Sequence, residues 1–201
     1  NGAHTVHPRV VGQVQLANPS GPGWADPADG RLDDPRLRGR DDKPYGPLPR
    51  AWGRYRGLYQ FDQQVIVSYT IGQTPVLEMP GLAEASGTTL YTRTFHIGPR
   101  EKDMRLQVAW QPGGRIAPQA GRDERDVASP AVLVGSEDDG VIAAGLWPAL
   151  KGARWDAEDG HLQLRIAAGT EPLRFALWMG RLPQAGDSAA LAAAPPQPPV
   201  V

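Results

Sequence analysis

Cysteine is absent from this chain of 201 residues, histidine occurs only four times and methionine three times. Without cysteine there is no disulfide framework, no thiolate zinc site, no thiol nucleophile and no Cys-x-x-Cys-His haem attachment within these residues. A surplus of charge is missing too: 21 Lys and Arg stand against 22 Asp and Glu, a formal net charge of −1. A near-neutral chain carries no general footprint for a phosphate backbone, so no nucleic-acid partner is expected. Apolar runs last only a few residues, far short of the ~20 that cross a bilayer, so no membrane span is expected. Catalytic signatures are equally scarce. There is no Gly-x-Ser-x-Gly elbow, no Ser-x-x-Lys with its partners, no phosphate-binding Gly-x-x-x-x-Gly-Lys-Ser/Thr and no strand-linked Gly-x-Gly-x-x-Gly. Hydrolase and nucleotide-binding classes lose most of their standing on that ground, and the reading leans away from an enzyme.

What is plentiful is glycine and proline, which make up 45 of the 201 residues, about 22% against roughly 12% in an average chain. Such a chain turns often and leaves little room for long helices. With 40% hydrophobic and 21% charged residues it is still globular in composition. Three zones follow. Residues 1–50 form a loop region rich in Pro, Gly, Asp and Arg that packs on the domain, with one expected strand at 10–16. Residues 51–182 carry almost all the periodic apolar signal. Residues 183–201 are an Ala/Pro-rich linker of the kind that extends as a semi-rigid spacer. Asn1-Gly2-Ala3-His4 shows neither a basic nor an apolar leader segment, and the chain is expected to be a fragment of a larger protein.

The middle zone alternates at period two, the signature of strands. Residues 65–71 are β-branched and aromatic, with both faces expected to be buried. Gly72-Gln73 supplies the loop of a type II′ hairpin, and residues 74–79 return. In that register Tyr69 faces Val76, Ser68 faces Leu77 and Pro75 faces Thr70, so the return strand is expected to be an edge or bulged at the proline; a longer turn through Pro75 is the alternative. Residues 90–97, 104–110, 162–166 and 174–179 alternate more cleanly. The last three point Met104, Leu106, Val108 and Trp110, then Leu162, Leu164 and Ile166, then Phe175, Leu177 and Met179 to one side. Asp139-Gly140 and Asp159-Gly160 are further hairpin signals. These features predict an all-β fold: a mostly antiparallel β-sandwich, jelly-roll-like or supersandwich-like, with a long irregular N-terminal loop region.

Candidate binding residues concentrate near the start. Asp26, Asp29, Asp33, Asp34, Asp41 and Asp42 interleave with Arg31, Arg36, Arg38, Arg40 and Lys43. Oxygen-rich loops bent by glycine suit Ca²⁺. The spacing, however, is not that of an EF-hand, and the near-equal count of arginines favours mutual ion pairing over calcium. Aromatic residues gather beside this cluster: Trp24, Tyr45, Trp52, Tyr55, Tyr59 and Phe61. Rings beside carboxylates on a β scaffold form sugar-binding surfaces, by stacking on pyranose faces and accepting hydroxyl hydrogen bonds. The plainer reading is that the rings pin the loop to the sandwich, and it is favoured. The candidate ligand-binding set is therefore Trp24, Asp26, Asp33, Asp34, Asp41, Asp42, Tyr45, Trp52 and Tyr55, with no catalytic residue assigned. A glycosidase needs two carboxyls at a set separation, which the sequence does not define. His4 and His7 would need a further ligand to hold a metal. His96 and His161 are expected at partly exposed strand and turn positions.

Several blocks carry a family resemblance: Gly21-Pro22-Gly23-Trp24-Ala25-Asp26-Pro27, Asp33-Asp34-Pro35-Arg36, Gly39-Arg40-Asp41-Asp42-Lys43-Pro44-Tyr45-Gly46-Pro47-Leu48-Pro49 and Tyr55-Arg56-Gly57-Leu58-Tyr59. Residues 65–69, Gly72, Val76-Leu77-Glu78 and Tyr91-Thr92-Arg93-Thr94-Phe95 extend it. Over residues 1 to about 182 the chain resembles a domain of unknown function in large secreted bacterial proteins. There it precedes a quinoprotein (sugar) dehydrogenase-like β-propeller and, often, a c-type cytochrome module. The resemblance implies a periplasmic or secreted accessory module whose partners are the downstream propeller and cytochrome domains of the same polypeptide. Haem c would then belong to the full-length protein, and no cofactor to this chain. The alternative is a carbohydrate-binding or glycan-processing β-sandwich in its own right. The resemblance carries no catalytic residues.

Overall fold

A computed structural model of the chain describes residues 11–12, 16, 21–85, 87–117, 131–134 and 140–183. Within them lie thirteen strands and no helix: β1 (Leu37–Arg38), β2 (Pro44–Tyr45), β3 (Gly53–Phe61), β4 (Gln64–Ile71), β5 (Thr74–Ala85), β6 (Thr88–Ile97), β7 (Met104–Trp110), β8 (Arg115–Ile116), β9 (Ala131–Val134), β10 (Val141–Trp147), β11 (Ala153–Glu158), β12 (His161–Ile166) and β13 (Leu173–Leu182). Eight of them hydrogen-bond in the order β3-β4-β5-β6-β13-β10-β9-β8, three form a smaller sheet β11-β12-β7, and β1-β2 make a short ribbon. Every ladder is antiparallel. The fold is the all-β, sandwich-like architecture that the period-two pattern predicts, with open sheets.

The small sheet lies against one face of the large one, here called the inner face. From the large sheet come Phe95, Ile97, Phe175, Leu177, Ala144 and Leu146; from the small one Leu106, Val108, Trp155, Leu162, Leu164 and Ile166, all buried in one cluster. Phe95 and Phe175, directly opposite each other on β6 and β13, stack with centroids 5.2 Å apart. The opposite, outer face has its own apolar cluster of Leu90, Val141, Ala143, Trp178 and Leu182. Glycine makes it possible. Trp178 lies over Gly145, its cross-strand partner, so closely that a Cβ there would overlap the indole.

The anticipated strands form, and the anticipated register is the observed one: Tyr69↔Val76, Ser68↔Leu77 and Thr70↔Pro75, around Gly72 at φ 55°. The strand β5 is internal rather than an edge, between β4 and β6. Pro75 is tolerated because the β5–β6 ladder begins only at Val76↔Ile97, and the Pro75 carbonyl accepts from Gly98 N at 2.9 Å. Residues 65–70 are half-buried rather than buried, and Gln163, which alternates with Leu162 and Leu164, is buried as they are. Asp159 and Gly160 both take positive φ and close β11 onto β12. The expected strand at 10–16 and the linker beyond 183 fall largely outside the described residues.

Because the contact between Trp178 and Gly145 excludes any side chain, Gly145→Ala is expected to destabilise the protein by about 1–3 kcal/mol through overpacking. Urea unfolding checks this: the midpoint should fall with the slope unchanged.

Candidate functional site

The Asp/Arg loop satisfies itself. Arg36 grips Asp34 as a fork, Nε to Oδ1 at 2.9 Å and Nη2 to Oδ2 at 2.6 Å, and its backbone N–H also donates to Oδ1. That guanidinium holds the Asp34 carboxyl below its usual range. Asp29 pairs with Arg31 at 2.6 Å, and Asp42, at φ 58°, pairs with Arg38 at 3.3 Å. Asp41 accepts the Tyr45 hydroxyl at 2.9 Å and is lowered by it. Asp26 accepts from Ala28 N, and Asp33 is exposed. Among the described residues no three of His, Asp and Glu gather into a metal-holding group. His4 and His7 lie outside the described residues.

The aromatic candidates divide. Trp24 and Trp52 are buried. Trp52 Nε1 donates to the Trp24 carbonyl at 2.9 Å, and the Trp24 ring meets Phe95 edge-on at 5.9 Å. These two indoles fasten the loop to the core. Tyr45 and Tyr55 are exposed and lie on different strands of different sheets. The nine candidate residues therefore do not converge on one site.

A polar chain unforeseen in the sequence runs through the edge of the core. Trp24 Nε1 donates to the Tyr69 hydroxyl at 2.9 Å. That hydroxyl donates to Glu78 Oε2 at 2.6 Å, and Arg93 Nε donates to Glu78 Oε1 at 2.6 Å. The Arg93 guanidinium also lies 5.0 Å from the centre of the Phe95 ring. The ladders put Tyr69, Glu78 and Arg93 on the same inner face of β4, β5 and β6. Burial first, and then the neighbouring Glu78 carboxylate, push the Tyr69 hydroxyl far above its normal pKa. The signal was present in the alternation: Glu78 shares a face with Val76, and Arg93 shares one with Phe95 and Ile97. A charge of each sign thus interrupts an inward stripe on adjacent strands.

Beyond this polar chain the inner face of β3, β5 and β6 is exposed, while Met179 of β13, opposite Tyr91, is still buried. Leu82 and Tyr91, cross-strand partners, are 66% and 37% exposed. Tyr55 and Leu58 on β3 are exposed on the same face. At the other end lies a cleft of about 770 Å³ between the 26–30 turn, the Gly72-Gln73 loop and residues 99–105. Its wall includes Asp26, Asp29, Asp103, Lys102 and Arg105. Lys102 and Arg105 tether the turn through the Pro27, Ala28 and Gly30 carbonyls. Arg100, buried on the same wall, donates to the Ala167 and Glu171 carbonyls.

Tyr69→Phe should lower stability by about 1–3 kcal/mol near neutral pH, because it leaves Trp24 Nε1 and Glu78 Oε2 unpaired. A pKa raised on folding contributes stability below the unfolded tyrosine value of about 10, a contribution lost as pH rises beyond it. Chemical unfolding at pH 7 to 11 should therefore show the gap between the wild type and Tyr69→Phe closing above pH ~10.

No curated protein matches the chain. Residues 1–78 match the sequence model of a domain of unknown function (DUF6797), a stretch ending on Glu78 that takes in Trp24, Trp52 and Tyr69.

Proposed function

We propose that this chain is a non-catalytic accessory module of a larger extracytoplasmic redox protein, and that it docks other parts of that protein through the bare inner face of its large sheet. The single observation that carries the reading is the exposed pair Leu82 and Tyr91, the inner-face rung just past Arg93 on a stripe whose other end, at Phe95 and Ile97, is buried. Apolar sheet face beyond the covering layer is what interfaces use. The side chains best equipped for chemistry are engaged with one another: Asp34 with Arg36, and Glu78 with Tyr69 and Arg93. The resemblance described above supplies the compartment, periplasmic or secreted. It also supplies the partners, a quinoprotein-dehydrogenase-like β-propeller and a c-type cytochrome module, where any haem would reside.

A second reading, carbohydrate binding, draws support from the cleft. Its volume of about 770 Å³ falls within the ~300–1,000 Å³ typical of ligand sites, and its wall mixes carboxylates with cations, a lining suited to hydroxyl groups. Binding on a glycan array that disappears in Arg105→Ala would carry this reading, and silence across the array would remove it.

For the leading reading, the chain and the propeller module of the full-length protein are expressed separately and their association is measured by sedimentation. Micromolar association is expected, weakened about tenfold or more by Leu82→Asp with the circular dichroism spectrum unchanged. No association of the wild-type chain, or association indifferent to Leu82→Asp, would overturn docking through this face.

A further inference from the structure

We propose that the free side of β3 pairs with β3 of a second copy of this chain, antiparallel about a two-fold axis at Leu58, joining the two large sheets into one. This surface is an edge, distinct from the face assigned to docking above.

The strand β3 ends the large sheet and is held by β4 alone. Both of its faces are bare: Tyr55 and Leu58 are exposed on the inner one, Tyr59 and Phe61 on the outer one. The β4–β5 ladder stops at Val67↔Glu78, while β3–β4 pairing continues through Leu58↔Val67 to Phe61↔Gln64. The hairpin therefore finishes as a ribbon of two strands, a form that is marginal in water without a third. Two of the common guards are missing from the edge, since β3 contains neither lysine nor proline, although it carries Arg54, Arg56 and a bulge.

The phase of the edge is set by the hairpin. Asp62-Gln63 is a two-residue loop with Asp62 at φ 52°, closed by Phe61↔Gln64. In such a loop the closing pair exchanges hydrogen bonds. Tyr59 and Phe61 thus bond toward β4, and Leu58 and Gln60 turn their N–H and C=O groups to the free side. With Leu58 opposite Leu58, the exposed groups of the two copies meet.

The side chains agree with that register. Gly57 falls opposite Tyr59, both on the outer face, and a side chain has room there because nothing lies within 4 Å of a Cβ on Gly57. The other outer-face glycines of the large sheet are filled by neighbours: Gly81 by Thr92, Gly145 by Trp178 and Gly180 by Leu90. Past Gly57 comes the β-bulge between Tyr55 and Gly57, whose extra residue, Arg56, shifts the count by one. Tyr55 then meets Gln60 on the inner face, and Arg54 meets Phe61 on the outer face, as a cation over a ring. Neither arginine faces another charge. The bulge, ordinarily a guard against edge pairing, here keeps the faces of the two copies in phase.

The absence of cysteine permits a direct test. Leu58→Cys puts two thiols at the axis within disulfide reach, so mild oxidation should give a covalent dimer. Arg54→Cys, opposite Phe61, should not. Sedimentation equilibrium of the wild-type chain should show a reversible dimer. Gln60→Pro removes a free-side N–H without touching the β4 ladder and should give monomer. Leu58→Asp, placing like charges opposite each other, should raise the dimer dissociation constant about tenfold or more. Tryptophan fluorescence confirms that each variant is folded. A wild-type chain that stays monomeric at all concentrations, or cross-linking no greater at position 58 than at 54, would overturn the proposal.

Discussion

Neighbouring strands lie about 4.8 Å apart, so the eight strands of the large sheet span roughly 34 Å and the three of the small sheet roughly 10 Å. One layer cannot cover the other, and much of the structure answers that mismatch. The segment around Trp24 extends the small sheet in all but name: Ala25 N bonds to the Arg105 carbonyl and Gln107 N to the Gly23 carbonyl, with a bridge between Trp24 and Leu106. The Trp24 indole then plugs the seam against Phe95. Where this cover ends, the inner face changes from apolar to polar at Tyr69, Glu78 and Arg93, and beyond that to exposed side chains.

A carboxylate at such a boundary is tenable only if its acceptors are filled. Glu78 has one oxygen on the Tyr69 hydroxyl and the other on Arg93, with its side chain still 17% exposed. Full burial would add a desolvation penalty that a single arginine seldom offsets, and full exposure would reduce the pair to a screened surface contact. The intermediate position lets the network fix the angle at which Trp24 enters, because the same hydroxyl that donates to Glu78 accepts from the indole.

Legibility followed covalent periodicity. The alternation at 90–97, 104–108 and 174–179, the Gly72-Gln73 loop and the register through Pro75 were all readable, since strand faces and tight turns depend on neighbouring residues. Trp110, expected on the stripe of Met104, Leu106 and Val108, is instead exposed past a bulge in β7 that turns Ala109 inward. The strand β3 was not: Arg56 sits in a bulge, and Gly57 breaks the apolar alternation on either side of it. Likewise β11 reads Ala-Arg-Trp-Asp-Ala-Glu, with Trp155 as its one large inward side chain. The candidate site was legible only in part. Charge counts favoured ion pairing within the loop, which the Asp34–Arg36 fork realises. Whether an indole faces a ligand or the core depends instead on residues 28 to 82 positions away, such as Trp24 for Trp52 and Leu106 for Trp24.

Glycine placement shows how the two faces of the large sheet differ in kind. The inner face is packed by a second layer, so its residues are bulky and interdigitate. On the outer face, three strand glycines admit Thr92, Trp178 and Leu90 from neighbouring strands, so that side chains lie down along the sheet instead of standing off it. Trp178 is buried there to 1% exposure. Area bookkeeping explains the benefit: an indole laid flat removes its own apolar surface and that of the backbone beneath it, at about 25 cal/mol per Å². A standing indole would need an entire covering layer to do the same. The outer face can thus hold a core of its own without a third sheet, and the inner face, once its small partner sheet ends, cannot. Among the described residues, the exposed large apolar side chains of the large sheet accordingly fall on the inner face past Arg93 and along β3, where neither device operates.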